Sequence, residues 1–182
     1  MDMNVIFLDF DGVIDTIHYT KEEDVEKKVA ILADICKKYD CKVVVEAACK
    51  DAIDEDTLEI DGKWVSFVFS LFRKYGIDCI GRTPNVGRKR NDYSYISMWK
   101  EDEIRLYLYR HPEIEHYCII DDDDLGPLKS DLNKVRDHLV QTIYYSDNYL
   151  EEGLLEKHSE EVGKILKKEN SIRKLVLKRN NK

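Results

Sequence analysis

The residues best placed to do chemistry are acids that follow short apolar runs. Asp9 and Asp11 close the run at Asn4–Phe10 and open a D-x-D-G sequence. Glu46 follows the β-branched run Lys42–Val45, and Asp121 to Asp124 follow Tyr117–Ile120. If these runs are neighbouring strands of one sheet, their acids share one crevice. Like charges a few ångströms apart cannot all stay ionised without a counter-charge. A hard divalent cation with oxygen ligands supplies it, and Mg²⁺ suits such a site. The expected ligands are Asp9, Asp11 and one or both of Asp121 and Asp122. Mg²⁺ beside a free carboxylate suits phosphoryl transfer, in which one Asp attacks phosphorus and forms an aspartyl-phosphate. A second Asp two residues along lies on the same side of an extended chain. It can protonate the leaving oxygen and later take a proton from water.

The elements that must position these acids alternate. Asn4–Phe10 is an unbroken apolar run, as expected of a central parallel strand buried on both faces. Val25, Val29, Leu32, Ile35, Cys36 and Tyr39 recur at helical spacing and predict a helix over 22–39, with Thr20 and Glu23 as a capping box. Lys42–Val45 reads as a strand. Residues 51–63 read as acidic and irregular, with a turn at Asp61-Gly62. Trp64–Tyr75 reads as a helix ended by Gly76, and Ile77–Ile80 as a strand. Gly81–Trp99 reads as a polar, basic loop. A helix over Glu101–Arg110 stops before Pro112. Tyr117–Ile120 and Leu139–Ile143 are the last strands, and 155–179 is helix in one or two pieces. This order predicts an α/β fold, a central parallel sheet with helices on both faces. In such sheets the ligand crevice lies outside the carboxyl ends of the strands.

Composition narrows the function classes. The 182 residues suit one domain, taken as 1–182. At 43% apolar and 36% charged residues, collagen-like and wholly disordered chains are excluded. No apolar run approaches the length of a membrane span, and the first residues lack a secretory leader. The net charge of −8 argues against a globally basic nucleic-acid coat. Charge is uneven, however. Residues 164–182 carry eight Lys/Arg and one Glu, a local +7 that leaves −15 on the rest. This basic end is expected to be a helix that packs an apolar stripe on the body. The five cysteines form no C-x-x-C pair and are read as reduced thiols of a cytoplasmic protein.

Two of these segments carry a family resemblance. FLDFDGVIDT at Phe7–Thr16 resembles the first motif of the haloacid dehalogenase (HAD) superfamily of phosphohydrolases, and CIIDDDD at Cys118–Asp124 resembles its fourth, metal-binding motif. GIDCIGRTPN, K-x-x-E-I at Lys100–Ile104, YLYRHPEIEHY, HLVQT and EGLLEKH follow in family order. Together they resemble the small HAD domains of RNA-repair proteins, over most of residues 3–168. The resemblance implies a Rossmann-like fold with no large cap domain. It makes Asp9 the nucleophile, Asp11 the general acid/base and Lys100 the third-motif cation, a role that Arg88, Lys89 or Arg90 could also fill. It implies a Mg²⁺ site of the Asp9 carboxylate, the Asp11 backbone carbonyl, Asp121 and Asp122.

The second motif departs from the family pattern. A Ser or Thr is expected after the second strand, and this chain has Glu46-Ala47-Ala48-Cys49-Lys50. Glu46, Ala47, Lys50, Arg88 and Lys89 are expected around the substrate, with Lys50 keeping a basic position of the family. A charged Glu46 would oppose a docked phosphate by about 4 kcal/mol at 4 Å and an effective dielectric of about 20. Two readings follow. One is a Mg²⁺-dependent phosphohydrolase acting on a phosphorylated nucleotide or nucleic-acid end. The other is a HAD-fold binding or regulatory protein whose turnover is weak or lost. By the resemblance, an open, capless site goes with bulky substrates such as a nucleic-acid end or a phosphoprotein; the basic residues of Arg73–Arg90 beside Tyr93, Tyr95 and Trp99 suit phosphate contact with base stacking. A receiver-type phosphoacceptor ranks below both, because the third strand ends without an acid.

Overall fold

A computed structural model describes residues 3–86, 96–125, 135–168 and 170–180. Five parallel strands form its central sheet: β1 (Met3–Leu8), β2 (Cys41–Val45), β3 (Cys79–Arg82), β4 (Ile114–Asp121) and β5 (Leu139–Gln141). Their order is β3-β2-β1-β4-β5. The helices are α1 (Glu22–Tyr39), α2 (Lys63–Tyr75), α3 (Ile96–Arg110), α4 (His158–Ile165) and α5 (Ser171–Asn180). The expected α/β fold, a parallel sheet with helices on both faces, is what forms.

Side-chain alternation divides the core in two. Ile6, Leu8, Val43, Val45, Cys118 and Ile120 pack with α1, α2 and α4. Val5, Phe7, Val44, Tyr117 and Ile119 pack on the other face with Ile104, Tyr107 and Leu108 of α3 and Ile172 of α5. With a period of two, the next residues beyond Phe7, Val44 and Ile119 are Asp9, Glu46 and Asp121. All three therefore fall on the α3 side of the sheet. The edge is also in register. Asp9 N–H donates to Ile120 O at 3.0 Å, Glu46 N–H to Leu8 O at 2.8 Å and Thr142 N–H to Asp121 O at 2.9 Å. Thr83 N–H donates to Val45 O at 3.0 Å. Thr83, Glu46, Asp9, Asp121 and Thr142 thus form one row across the sheet's carboxyl edge.

Several boundaries differ from those read in the sequence. The Thr20–Glu23 capping box does not form: Lys21 caps α1 and no side chain bonds to its free N–H groups. Three acids in the first turn supply the favourable charge instead. β4 starts earlier than expected, because Glu115 and His116 are half-exposed and interrupt the apolar run. β3 runs to Arg82 and α3 starts at Ile96, which shortens the expected 81–99 loop at both ends. Residues 48–52 form a short 3-10 turn, and an antiparallel bridge between Ile53 and Ile60 closes the acidic segment.

The C-terminal segment folds in two pieces, as one of the alternatives expected. Asn170 caps α5 by accepting from Ile172 and Arg173 N–H, both at 3.1 Å, and its amide donates to Ile114 O at 2.9 Å. Ile172 and Val176 are buried, so this basic helix does pack an apolar stripe. All five cysteines are free; Cys36, Cys41 and Cys118 are buried. Burial pushes the Cys36 and Cys41 thiols up to about 12. Among the described residues no helix is long and apolar enough to cross a membrane.

His158 at the start of α4 makes stability depend on pH. It is buried, and its Nδ1 accepts from Leu155 N–H at 3.0 Å, which requires a neutral ring. Burial, with Lys157 and Lys28 nearby, pushes its pKa down to about 4. The unfolded chain takes up this proton first, so stability falls as pH drops from about 6.5 towards 4. The loss should be about 1–3 kcal/mol. Urea unfolding at about pH 7.5 and 4.5 checks this, and the pH-dependent loss should shrink in His158→Gln.

Candidate active site

Asp9 leaves β1 at the centre of the row, and its Oδ1 accepts from Phe10 N–H at 2.7 Å. Its other oxygen takes the Lys100 ammonium. Lys100 also donates to Asp121 Oδ1 at 3.0 Å and Oδ2 at 2.8 Å. All three residues are buried, with Asp121 at 0% exposure. The lysine comes from α3, the helix packed on the face to which alternation sends Asp9 and Asp121. Burial works against its charge, but Asp9 and Asp121 outweigh burial and hold its pKa above the ordinary lysine range.

Asp122 completes a group of three carboxylates. One oxygen each from Asp9, Asp121 and Asp122 lies within 4.8 Å of the others. Burial and then the charge of Asp9 raise the pKa of Asp121 well above normal and that of Asp122 to about 6. One ammonium therefore leaves the group short of positive charge. Gly12 makes room for the arrangement: its φ is +75°, and a Cβ there would lie 2.3 Å from Asp122 Cγ. Thr142 ties the segments together, donating through Oγ1 to Gly12 O at 2.7 Å.

Asp11 stands on the turn after Asp9 and is exposed. Partial desolvation and Asp9 raise its pKa, and Lys100 partly offsets this. Its carboxylate is outside the group of three.

Glu46 and Lys50 enter a second, sealed cluster. Lys50 is fully buried and donates to Glu46 Oε1 and Oε2 at 3.1 and 3.0 Å, Thr83 Oγ1 at 2.7 Å and Glu103 Oε2 at 2.5 Å. Glu103 Oε1 accepts from Val86 N–H at 3.0 Å. Lys50 thus has no donor left for a ligand, unlike the substrate-contacting lysine expected from the sequence. Burial is the largest effect on Glu46; with Glu103 it outweighs Lys50 and pushes the pKa up to about 8. For Glu103 burial is again the largest effect, but Lys50, with hydrogen bonds from Val86 N–H and Glu46, outweighs it and the pKa falls below the usual range. Two carboxyl groups thus share one ammonium, and burial biases Glu46 towards its neutral form. In that form Glu46 would not oppose a phosphate.

Ala47 is buried beside Glu46 at the end of β2. Arg88 and Lys89, together with Arg90, Tyr93 and Tyr95, lie outside the described residues. Sequence reading missed Glu103 and Thr83. Glu103 sits three residues after Lys100, so one helical face serves both clusters. The K-x-x-E spacing carried that signal.

Removing one partner of a buried ion pair strands the other charge. Lys50→Met should therefore destabilise the fold by about 3–5 kcal/mol. Lys50→Met combined with Glu103→Gln should recover much of this in denaturant unfolding. Because the folded pKa of Glu46 is raised, its contribution to stability is full below about 4.5 and is lost as pH rises through about 8. Glu46→Gln should flatten the stability profile over that window.

Comparison with known proteins agrees with this geometry. No curated protein and no solved structure matches the chain. A family model described as the HAD domain in Swiss Army Knife RNA repair proteins matches residues 5–152. That span contains the whole row of crevice residues from Thr83 and Glu46 to Thr142, together with Lys100 and Glu103. This chain belongs to the HAD domain family of Swiss Army Knife RNA repair proteins, whose chemistry is of the phosphohydrolase type.

Proposed function

We propose that the chain is a Mg²⁺-dependent phosphohydrolase that works through an aspartyl-phosphate on Asp9 and acts on a phosphorylated nucleic-acid end or nucleotide. The observation that carries this reading is the convergence of Asp9, Asp121 and Asp122, with Lys100 between Asp9 and Asp121. The donor set is all oxygen and carries more negative charge than one lysine neutralises, which fits a hard divalent cation. Asp9, Asp121 and Asp122 would hold it, with the Asp11 carbonyl. Bound there, Mg²⁺ would supply positive charge to the phosphoryl oxygens.

The protein's own groups divide the remaining work. An Asp9 carboxylate oxygen attacks phosphorus while the bond to the leaving oxygen breaks. Asp11, exposed on the turn, gives that oxygen a proton. It then takes a proton from the water that attacks phosphorus, and inorganic phosphate leaves with Asp9 restored. Lys100 orients Asp9 and balances charge on the transferring group. Lys50, Glu103 and Glu46 hold one another in a buried cluster beside the row. The family's description as RNA-repair proteins supports a nucleic-acid end as substrate. Free thiols suit a reducing cytoplasm.

The second motif favours another reading, a HAD-fold binding or regulatory module with little turnover. Its support is the missing hydroxyl and the closure of Lys50 among protein partners. Phosphate release separates the two. With Mg²⁺ and 5′- or 3′-phosphorylated oligonucleotides, the wild type should release phosphate. Asp9→Asn, close in size but without the nucleophile, should lose at least about 10³-fold while keeping its fold. Equal turnover in Asp9→Asn would sink the covalent mechanism, and no release by the wild type would favour the binding module.

A further inference from the structure

Beside the crevice lies a group of exposed aromatic rings that the hydrolytic reading does not use. Two loops build it, the one after β1 and the one after β5, both at the sheet's carboxyl edge. His18 and Tyr145 have ring centroids 5.7 Å apart, His18 and Tyr149 6.4 Å, and Tyr19 and Tyr149 6.1 Å. Tyr145 is 59% exposed and Tyr149 53%. Rings that pack together at the surface form a contiguous aromatic face, a feature that marks binding sites.

The group is held firmly and is tied by hydrogen bonds to the D-x-D-G turn. Glu152 is fully buried beneath it. Its carboxylate accepts from Thr16 Oγ1 at 2.9 Å, Ser146 N–H at 2.9 Å and His18 N–H at 3.3 Å, and it pairs with His18 Nδ1 at 2.6 Å. Lys28 donates to Glu152 O at 2.6 Å and its ammonium lies 5.1 Å from the Tyr19 ring centre. Ile17 N–H donates to Tyr144 O at 3.3 Å, two residues beyond the Thr142 that is bonded to Gly12. The aromatic surface therefore continues directly from the D-x-D-G turn.

We propose that His18, Tyr19, Tyr145 and Tyr149 form a stacking platform for unpaired bases of an RNA strand whose terminal phosphate lies at Asp9. The platform rests on the proposed function for where the phosphate sits. Aromatic faces stack on any base, so they suit recognition of an end without sequence preference. Asp24 lies near Tyr19 and Asp147 beside Tyr145, so attraction of the phosphodiester chain does not explain the surface. Tyr145 Oη itself donates to Asp147 Oδ1 at 3.1 Å. The rings read bases and leave backbone contact to other parts of the chain.

The test is binding rather than turnover. The full chain carrying Asp9→Asn is titrated with Mg²⁺ and a short single-stranded RNA bearing a terminal phosphate. The comparison ligand is the same RNA with its last two nucleotides abasic. Adding Tyr145→Ala and Tyr149→Ala should weaken binding of the base-bearing RNA by about tenfold or more. The abasic ligand should be unaffected, and Tyr145→Phe with Tyr149→Phe should bind within about twofold of the parent, since the stacking face is kept. Equal loss for both ligands, no loss, or no binding by the parent overturns the platform. So does a change in self-association in place of RNA binding, which would make the face a protein contact. Phosphate release by the wild type is scored separately: its failure bears on the hydrolytic reading and leaves the base-against-abasic comparison intact.

Discussion

Two carboxylates on neighbouring parallel strands would repel each other strongly at the edge of this sheet. The Lys100 ammonium, bonded to Asp9 and to both oxygens of Asp121, is what allows them to lie side by side in a buried crevice. Everything else at the site follows from that contact. It ties α3 to the sheet's carboxyl edge and holds Asp9. It also leaves Asp122 as an acid still short of a counter-charge, with a pKa near 6. The fold supplies the contact cheaply, because strand alternation had already sent Asp9 and Asp121 to the α3 side.

The same helix serves a second charge cluster one turn along. Glu103 meets Lys50, which holds Glu46 and Thr83. Two lysines thus stand under the crevice with different duties. Lys100 faces Asp9 and Asp121, whereas Lys50 is consumed within the protein. Replacing a hydroxyl by Glu46 would be damaging if that acid were charged and free. Here burial pushes its pKa up, and it is bonded to a buried cation. The departure from the family pattern has become a built part of the core rather than a loose charge in the phosphate's place.

The residues legible in the sequence were those marked by both type and position. Asp9, Asp121 and Asp122 each follow or end an apolar strand, and Lys100 opens the K-x-x-E-I segment, which lies within α3. Thr83, Thr142 and Glu152 were not legible as site residues, and Glu103 showed only in the K-x-x-E spacing. Each acts through a partner far away in the chain, and such pairing follows from packing alone. Lys50 was read as substrate-binding because its position matched a basic family residue, and only the surrounding acids reveal where its three donors go. The sheet and its helices were legible because β1 and β2 are unbroken apolar runs. The ends of β3 and β4 were less so, since edge and half-exposed residues carry no such signal. The capping box failed because a side-chain pattern does not compel a cap when the first turn is already acidic.

The most direct test of the account is chemical capture of the intermediate. Wild-type protein, Mg²⁺ and a phosphorylated oligonucleotide are quenched during turnover and treated with borohydride, which reduces an acyl phosphate to an alcohol. Peptide mass analysis then locates the change. The account predicts conversion of Asp9 to homoserine, only with substrate and Mg²⁺ present. Steady phosphate release with Asp9 unmodified, or with the modification on another acid, would contradict it.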